Sequence, residues 1–240
     1  MKHQSGRQNS SRPTSGQDGL IRQREKNLGD LFGVEPGLLL KIPADLTTLS
    51  IIVGKHLALG GKIRRNGEIE PQRNEELRNE CLKLMGPRYG LTHASLYPTV
   101  RRKPSGHSGR YDSSFLHSDM WSGNPPGCII MFPVLGDIKA GGVQFFKPTQ
   151  NIDKMSVVYN TYQDVPDFNP SYLGRMSPNH IHVVDSYCLH KTMQGGMRVS
   201  VDWRFVVNNE WLEPGDVHGI GMAMRRKGNF VPLWDLEGRN

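Results

Sequence analysis

The sequence predicts an α+β protein in which two helices precede a body built of short strands. Two observations carry that expectation. Apolar residues recur at helical spacing within residues 44–57 and 72–85. After Tyr89 the texture changes to short β-prone runs separated by Gly, Pro, Asn and Ser. Helices first and many short strands afterwards point to a sandwich or barrel with the helices packed on one sheet.

In the first helix, Leu46, Leu49, Ile52 and Val53 form the apolar face and Gly60-Gly61 gives the stop. In the second, Leu77, Cys81, Leu84 and Met85 form that face and Gly86-Pro87 ends it. Strands are expected near 93–100, 111–118, 127–135, 142–147, 156–162, 181–185 and 198–207. Residues 1–28, rich in Ser, Gln, Gly and Arg, read as a disordered basic tail. Residues 29–240 then make one domain: a helical part over 40–90, a β core over 90–207, and an extension over 208–240 packing across the body with Trp211 and Trp234. No internal repeat is visible.

The net charge of +7 is concentrated in that tail, where six Lys/Arg stand against Asp18 and Glu25. A solvated extension explains it, and no nucleic-acid partner is expected; Arg101-Arg102-Lys103 and Arg225-Arg226-Lys227 are short and lack interleaved aromatics. Cys81, Cys128 and Cys188 are odd in number and without CxxC spacing, which fits buried thiols in a reducing compartment. No run approaches the ~18 apolar residues of a membrane span. No apolar segment follows the N-terminal charges, so a cytoplasmic location is expected. Phosphate-binding glycine loops and Ser/His/Asp patterns are absent from the sequence.

Two stretches carry chemistry. In Phe115-Leu116-His117-Ser118-Asp119, a His and an Asp two apart on a strand share a face. An imidazole and a carboxylate so placed supply two-thirds of the facial triad that binds iron(II) and leaves positions open. In Val183-Val184-Asp185-Ser186-Tyr187-Cys188-Leu189-His190, an apolar strand and a turn end in a histidine. Gly195-Gly196 then leads into a strand that alternates Arg198, Ser200, Asp202 and Arg204 with Val199, Val201, Trp203 and Phe205. An ordinary surface strand would alternate likewise. Arg198, however, is a planar cationic fork eight residues beyond a candidate ligand, suited to grip a dicarboxylate, and Ser200 can add a hydroxyl donor.

The pattern HxD, a gap of 71 residues, His, then RxS resembles the double-stranded β-helix (jelly-roll, cupin-like) oxygenases that use iron(II) and 2-oxoglutarate. Together with Tyr97-Pro-Thr-Val-Arg101, it is similar to the oxygenases of carbohydrate and streptomycin-type biosynthetic clusters, over roughly residues 90–207. The resemblance implies His117, Asp119 and His190 as metal ligands, with Arg198 and Ser200 on the co-substrate. It implies Fe(II), 2-oxoglutarate and O2 as reactants and the release of succinate and CO2. The substrate would be a small polar metabolite, a sugar or aminocyclitol. Halogenating relatives lack the carboxylate that Asp119 supplies, which leaves hydroxylation, desaturation, epimerisation or ring closure. Where a Thr-Asn pair tends to precede the next strand, this chain has Ala140-Gly141-Gly142, so contacts from that pair do not carry over.

Trp121, Gln144 and Arg101 are candidate substrate contacts. Arg204 is expected to pair with Asp202. His180 and His182 are rival third ligands, against a reading of His182 as a hydrogen-bonded core or surface histidine; His93 and His107 read as structural or solvent-facing. Two other functions remain open: a cupin-like binding module without turnover, and a metal-dependent cupin enzyme that uses no keto acid.

Overall fold

The computed structural model describes residues 39–63, 69, 74–85, 91–104, 116–118, 127–147, 170–185, 188–206 and 230–237. The expected tail, the strand at 156–162, and Asp119, Trp121, His107 and Trp211 lie outside the described residues.

Ten strands and four helices follow one another: β1 Leu39–Pro43, α1 Thr47–Ala58, α2 Glu75–Met85, β2 His93–Ser95, β3 Thr99–Lys103, β4 Gly127–Gly136, α3 Ile138–Gly141, β5 Val143–Lys147, β6 Ser171–Arg175, β7 His180–Asp185, β8 Leu189–Thr192, β9 Arg198–Val206, β10 Phe230–Pro232 and α4 Leu233–Glu237, all counted among the described residues. They form two antiparallel sheets. The larger runs β1-β7-β4-β9-β2-β10, with β3 also pairing to β9; the smaller runs β6-β5-β8. A single bridge between His117 and His190 extends the smaller sheet beyond β8.

Both expected helices form. Asp45 accepts from the Thr47 backbone N–H (3.0 Å) at the start of α1, and Asn74 accepts from Leu77 N–H (2.9 Å) at the start of α2. Glu75 and Glu76 add negative charge to the first turn of α2, where the helix dipole favours it. Leu49, Ile52 and Val53 of α1 and Leu77 and Cys81 of α2 are buried against one face of the larger sheet. That face is made by Cys128, Ile130 and Phe132 of β4, Ile181 and Val183 of β7, and Val199, Val201, Trp203 and Phe205 of β9. Each such aliphatic side chain contributes about 1.5–3 kcal/mol on burial.

Among the described residues Trp203 is the largest fully buried side chain, and its indole N–H donates to the Ser95 carbonyl at 2.7 Å. Trp203→Ala is expected to lose about 3–5 kcal/mol of stability. Urea denaturation reads this directly, and a loss below ~1 kcal/mol would mean that the helix-side core is not built around this residue.

The opposite face of the larger sheet meets the smaller one. Ile129 and Met131 of β4 and Val184 of β7 pack there with Val143 and Phe145 of β5, Met176 and Cys188. The larger sheet is thus covered on both faces, with helices on one and strands on the other. Whatever β9 presents to the second face is enclosed rather than solvated.

Candidate active site

β9 lies between β3 and β4, with Met131 opposite Asp202 and Ile129 opposite Arg204. Residues directly opposite in an antiparallel pair point to the same side. Arg198, Ser200 and Asp202 therefore face the space between the sheets, where each is buried (3%, 0% and 8% exposed). An ordinary surface strand would hold these polar groups in water. Burial of three polar groups in succession is what a site requires and a solvated face does not.

Within the row, Ser200 Oγ donates to Asp202 Oδ1 at 2.9 Å and Arg101 Nε lies 3.1 Å from Asp202 Oδ2. Asp202 therefore pairs with Arg101 across the strands, where Arg204 had been expected. Ser200 has one hydroxyl proton, and in this arrangement it goes to Asp202 rather than towards a co-substrate. The buried Nε and Nη1 of Arg198 have no hydrogen-bond partner. Burial lowers its pKa to about 10, with Asp202 opposing the shift and Arg101 reinforcing it. The group remains a cation at neutral pH.

The position of Arg198 is fixed from behind. Gly136 lies opposite it with φ +89, and a Cβ at 136 would meet the Met197 carbonyl oxygen at 2.3 Å and the Arg198 Cα at 3.1 Å. The Gly195-Gly196 connection packs just as closely on α3, where a Cβ on Gly141 would fall 2.0 Å from the Gly196 carbonyl oxygen. Ala140-Gly141-Gly142 is thus a close-packing element that sets the entry to β9.

The facing sheet presents histidines. His190 of β8 lies opposite Phe145 of β5, so both point into the intersheet space, and His117 bridges His190 on its other side. Their backbones exchange hydrogen bonds of 3.0 and 2.7 Å. The two rings approach to 4.3 Å between centroids. His190 Nδ1 lies 3.1 Å from the Cys188 carbonyl oxygen. A carbonyl only accepts, so Nδ1 carries the proton and Nε2 the lone pair, the tautomer of an imidazole metal ligand with its outer partner in place. Among the described residues no group of three His, Cys, Asp or Glu gathers to hold a metal. The third candidate, Asp119, falls outside them.

His182 is not a competing ligand. The Ser177 backbone N–H donates to its Nε2 at 3.0 Å, which occupies that lone pair and leaves the proton on Nδ1. The ring stacks on Phe145 at 6.1 Å and is fully buried. Burial, with Lys41 and His180 adding to it, pushes its pKa from 6.5 down to about 3. The unfolded chain therefore takes up a proton that the folded chain refuses, and stability is lost as pH falls from about 6.5 towards 3. In His182→Gln, a side-chain carbonyl can still accept from Ser177 without titrating. Its denaturation midpoint should fall less steeply between pH 6.5 and 5; the same slope as wild type would mean that His182 does not set it.

Gln144 requires a correction. Val143 and Phe145 point into the intersheet core, so Gln144 between them points outward, in register with Lys191 and Arg175. It faces away from the histidines and is not placed to touch a substrate there. Arg101, in contrast, lies opposite Ser200 on the inner face. Lys103 was read only as part of a charge run. It lies opposite Arg198 and is 3% exposed. Continuing the strand alternation past residue 100 would have found it. His93 is buried, 2.9 Å from Thr92 Oγ1 through Nδ1 and edge-on to Trp234, a structural setting. Cys81, Cys128 and Cys188 are free thiols, all buried; burial raises the pKa of Cys81 and Cys128.

With this geometry in hand, comparison with solved structures gives a fold match. The non-haem alpha-ketoglutarate-dependent carbocyclase SnoK from nogalamycin biosynthesis aligns over 83% of this chain and 87% of its own, with a TM-score of 0.50 and 13% identity. The chain has the SnoK fold. The expected double-stranded β-helix, with helices on one sheet, is therefore what the sequence makes. The epimerase SnoN from the same biosynthesis aligns over 84% of this chain and 93% of its own, with a TM-score of 0.44 and 10% identity. A 2OG-Fe(II) oxygenase family oxidoreductase from Burkholderia pseudomallei aligns over 77% and 90%, with a TM-score of 0.42 and 13% identity. No protein-family model matches the sequence, and no curated protein matches it significantly. At such identities the likeness speaks for the fold, and the chemistry rests on this chain's own residues.

Proposed function

We propose that this protein is an Fe(II)- and 2-oxoglutarate-dependent dioxygenase that oxidises a small polar metabolite, with a sugar or aminocyclitol as the preferred class. The observation that carries the reading is Arg198: a buried guanidinium with two unsatisfied N–H groups, in the same intersheet space as a histidine pair. A buried cation with idle donors calls for an anion, and a keto diacid chelating a metal beside it is the anion that fits.

In this reading His117 and His190 are the imidazole ligands and Asp119 the carboxylate, whose presence disfavours halogenation. Bound there, iron(II) and 2-oxoglutarate supply the activation of O2, with succinate and CO2 as co-products. The chain's own residues do the rest. The Cys188 carbonyl holds the His190 ring through Nδ1, so that Nε2 would be the atom offered to the metal. Arg198 clasps the distal carboxylate in surroundings that strengthen the contact. Asp202 holds Arg101 and Ser200 in place along β9. Phe145, Met131 and Val184 keep water from the layer between the sheets. Arg101 and Trp121 are proposed to meet the substrate. No helix among the described residues is long and apolar enough to cross a membrane.

Oxygen-dependent succinate formation from 2-oxoglutarate by the iron-loaded protein tests the reading. Slow uncoupled release that rises with the right polar metabolite is expected. No release above iron alone, with or without a panel of sugars and aminocyclitols, would favour a binding module without turnover.

A further inference from the structure

Arg78 of α2 is 1% exposed, and its Nε, Nη1 and Nη2 are all buried without a hydrogen-bond partner. Its guanidinium lies over the Tyr97 ring, 5.4 Å from the centroid. A ring face offsets part of a cation's charge but accepts N–H groups far more weakly than an oxygen does. The acids of its own helix do not answer it: Glu75 and Glu76 are exposed, and Glu80 lies 3.7 Å from Lys83. Nor do α1, β2 and β3 contain an acid. A guanidinium enclosed in this way is costly unless an anion reaches it.

We infer that Arg78, with Tyr97 as its cover, is a binding site for a small free carboxylate. The inference does not rest on the co-substrate reading. α2 buries Leu77 and Cys81 on the side of the larger sheet away from Arg198, so the two guanidinium groups belong to different layers. A carboxylate matches the planar fork of Arg78, taking two parallel N–H bonds from it. Tyr97 is half-buried and stands between β2 and β3, which makes its ring the group that shifts to admit a ligand. Ser95 Oγ donates to the Tyr97 carbonyl at 3.3 Å, and the Ser95 carbonyl accepts from Trp203. The turn under the site is therefore tied to the core. A carboxylate held there would bind α2 to that turn and stabilise the helix layer.

The test is thermal denaturation of the full-length protein with added sodium formate, at constant ionic strength in a buffer free of other carboxylates. Wild type, Arg78→Met, Arg78→Lys and Arg198→Ala are compared. The wild-type midpoint should rise saturably, by about 5 °C or more at a hundred times the dissociation constant. Arg78→Met should show no saturable rise. Arg78→Lys keeps the charge without the fork and should need at least ~tenfold more formate for the same rise, which carries the comparison if Arg78→Met does not fold. Arg198→Ala should respond as the wild type does. No saturable rise in the wild type overturns the proposal, as does an undiminished rise in Arg78→Met or Arg78→Lys. A rise lost in Arg198→Ala overturns it too, because formate would then be acting between the sheets.

Discussion

Replacing Arg198 by Ala is expected to weaken 2-oxoglutarate binding about a hundredfold or more while leaving metal affinity near the wild-type value. Two buried N–H groups of Arg198 have no hydrogen-bond partner in the protein, and in the proposed reading a carboxylate would engage them. Charge-assisted hydrogen bonds of this kind contribute ~1.5–3 kcal/mol each, so two account for at least two decades of affinity. Without its anion the guanidinium is a buried cation beside Lys103 and Arg101, so removing it should not destabilise the protein lacking co-substrate. Calorimetry with Mn(II) and 2-oxoglutarate measures the first effect and thermal denaturation the second. Undiminished co-substrate affinity in Arg198→Ala would remove the observation on which the function rests.

His190→Ala is the second large effect, acting on the metal instead of the keto acid. The ring is oriented by the Cys188 carbonyl and lies 4.3 Å from His117, centroid to centroid. Losing an outer-sphere partner typically weakens metal binding ~10–100-fold, and losing the ligand itself should exceed that. His182→Gln serves as the internal control. His182 is a buried histidine of the same layer whose Nε2 is already held by Ser177, so its replacement should leave metal affinity within a few-fold. Equal losses in the two variants, read by equilibrium competition for Mn(II), would argue against His190 as a ligand.

The two helices and the longer strands were legible because each carries its own periodic signal. Leu46, Leu49, Ile52 and Val53 are buried as their spacing requires, and β4, β7 and β9 fall where apolar runs or strict alternation occur. The strands that escaped notice are short and owe their existence to partners. β8 is only Leu189–Thr192, with Leu189 its one apolar residue, and reads as a turn until β5 pairs with it. β1 lies ahead of α1 and is recruited to the sheet edge by β7; β6 and β10 are likewise held by neighbours rather than by pattern.

Of the residues that sequence spacing singled out, His117 and His190 bring their rings to 4.3 Å between centroids and Arg198 is buried on β9. Sequence spacing misplaced Gln144 because proximity along the chain was weighed above parity: Val143 and Phe145 on either side already imply that Gln144 turns outward. It overlooked Lys103 because the strand was taken to end at residue 100, and a charge run without a parity reads as solvent-facing. The pairing of Asp202 with Arg101 depends on a strand register that no local pattern encodes.

The central claim is that the histidine pair, the carboxylate of Asp119 and Arg198 assemble one centre for ferrous iron and a keto diacid. Anaerobic titration of the iron(II)-loaded protein with 2-oxoglutarate, followed by visible absorption, addresses it most directly. A saturable metal-to-ligand charge-transfer band is expected in the wild type, absent in His190→Ala and shifted to much higher 2-oxoglutarate concentration in Arg198→Ala. A wild-type protein that binds iron(II) yet develops no such band at millimolar 2-oxoglutarate would contradict the assignment.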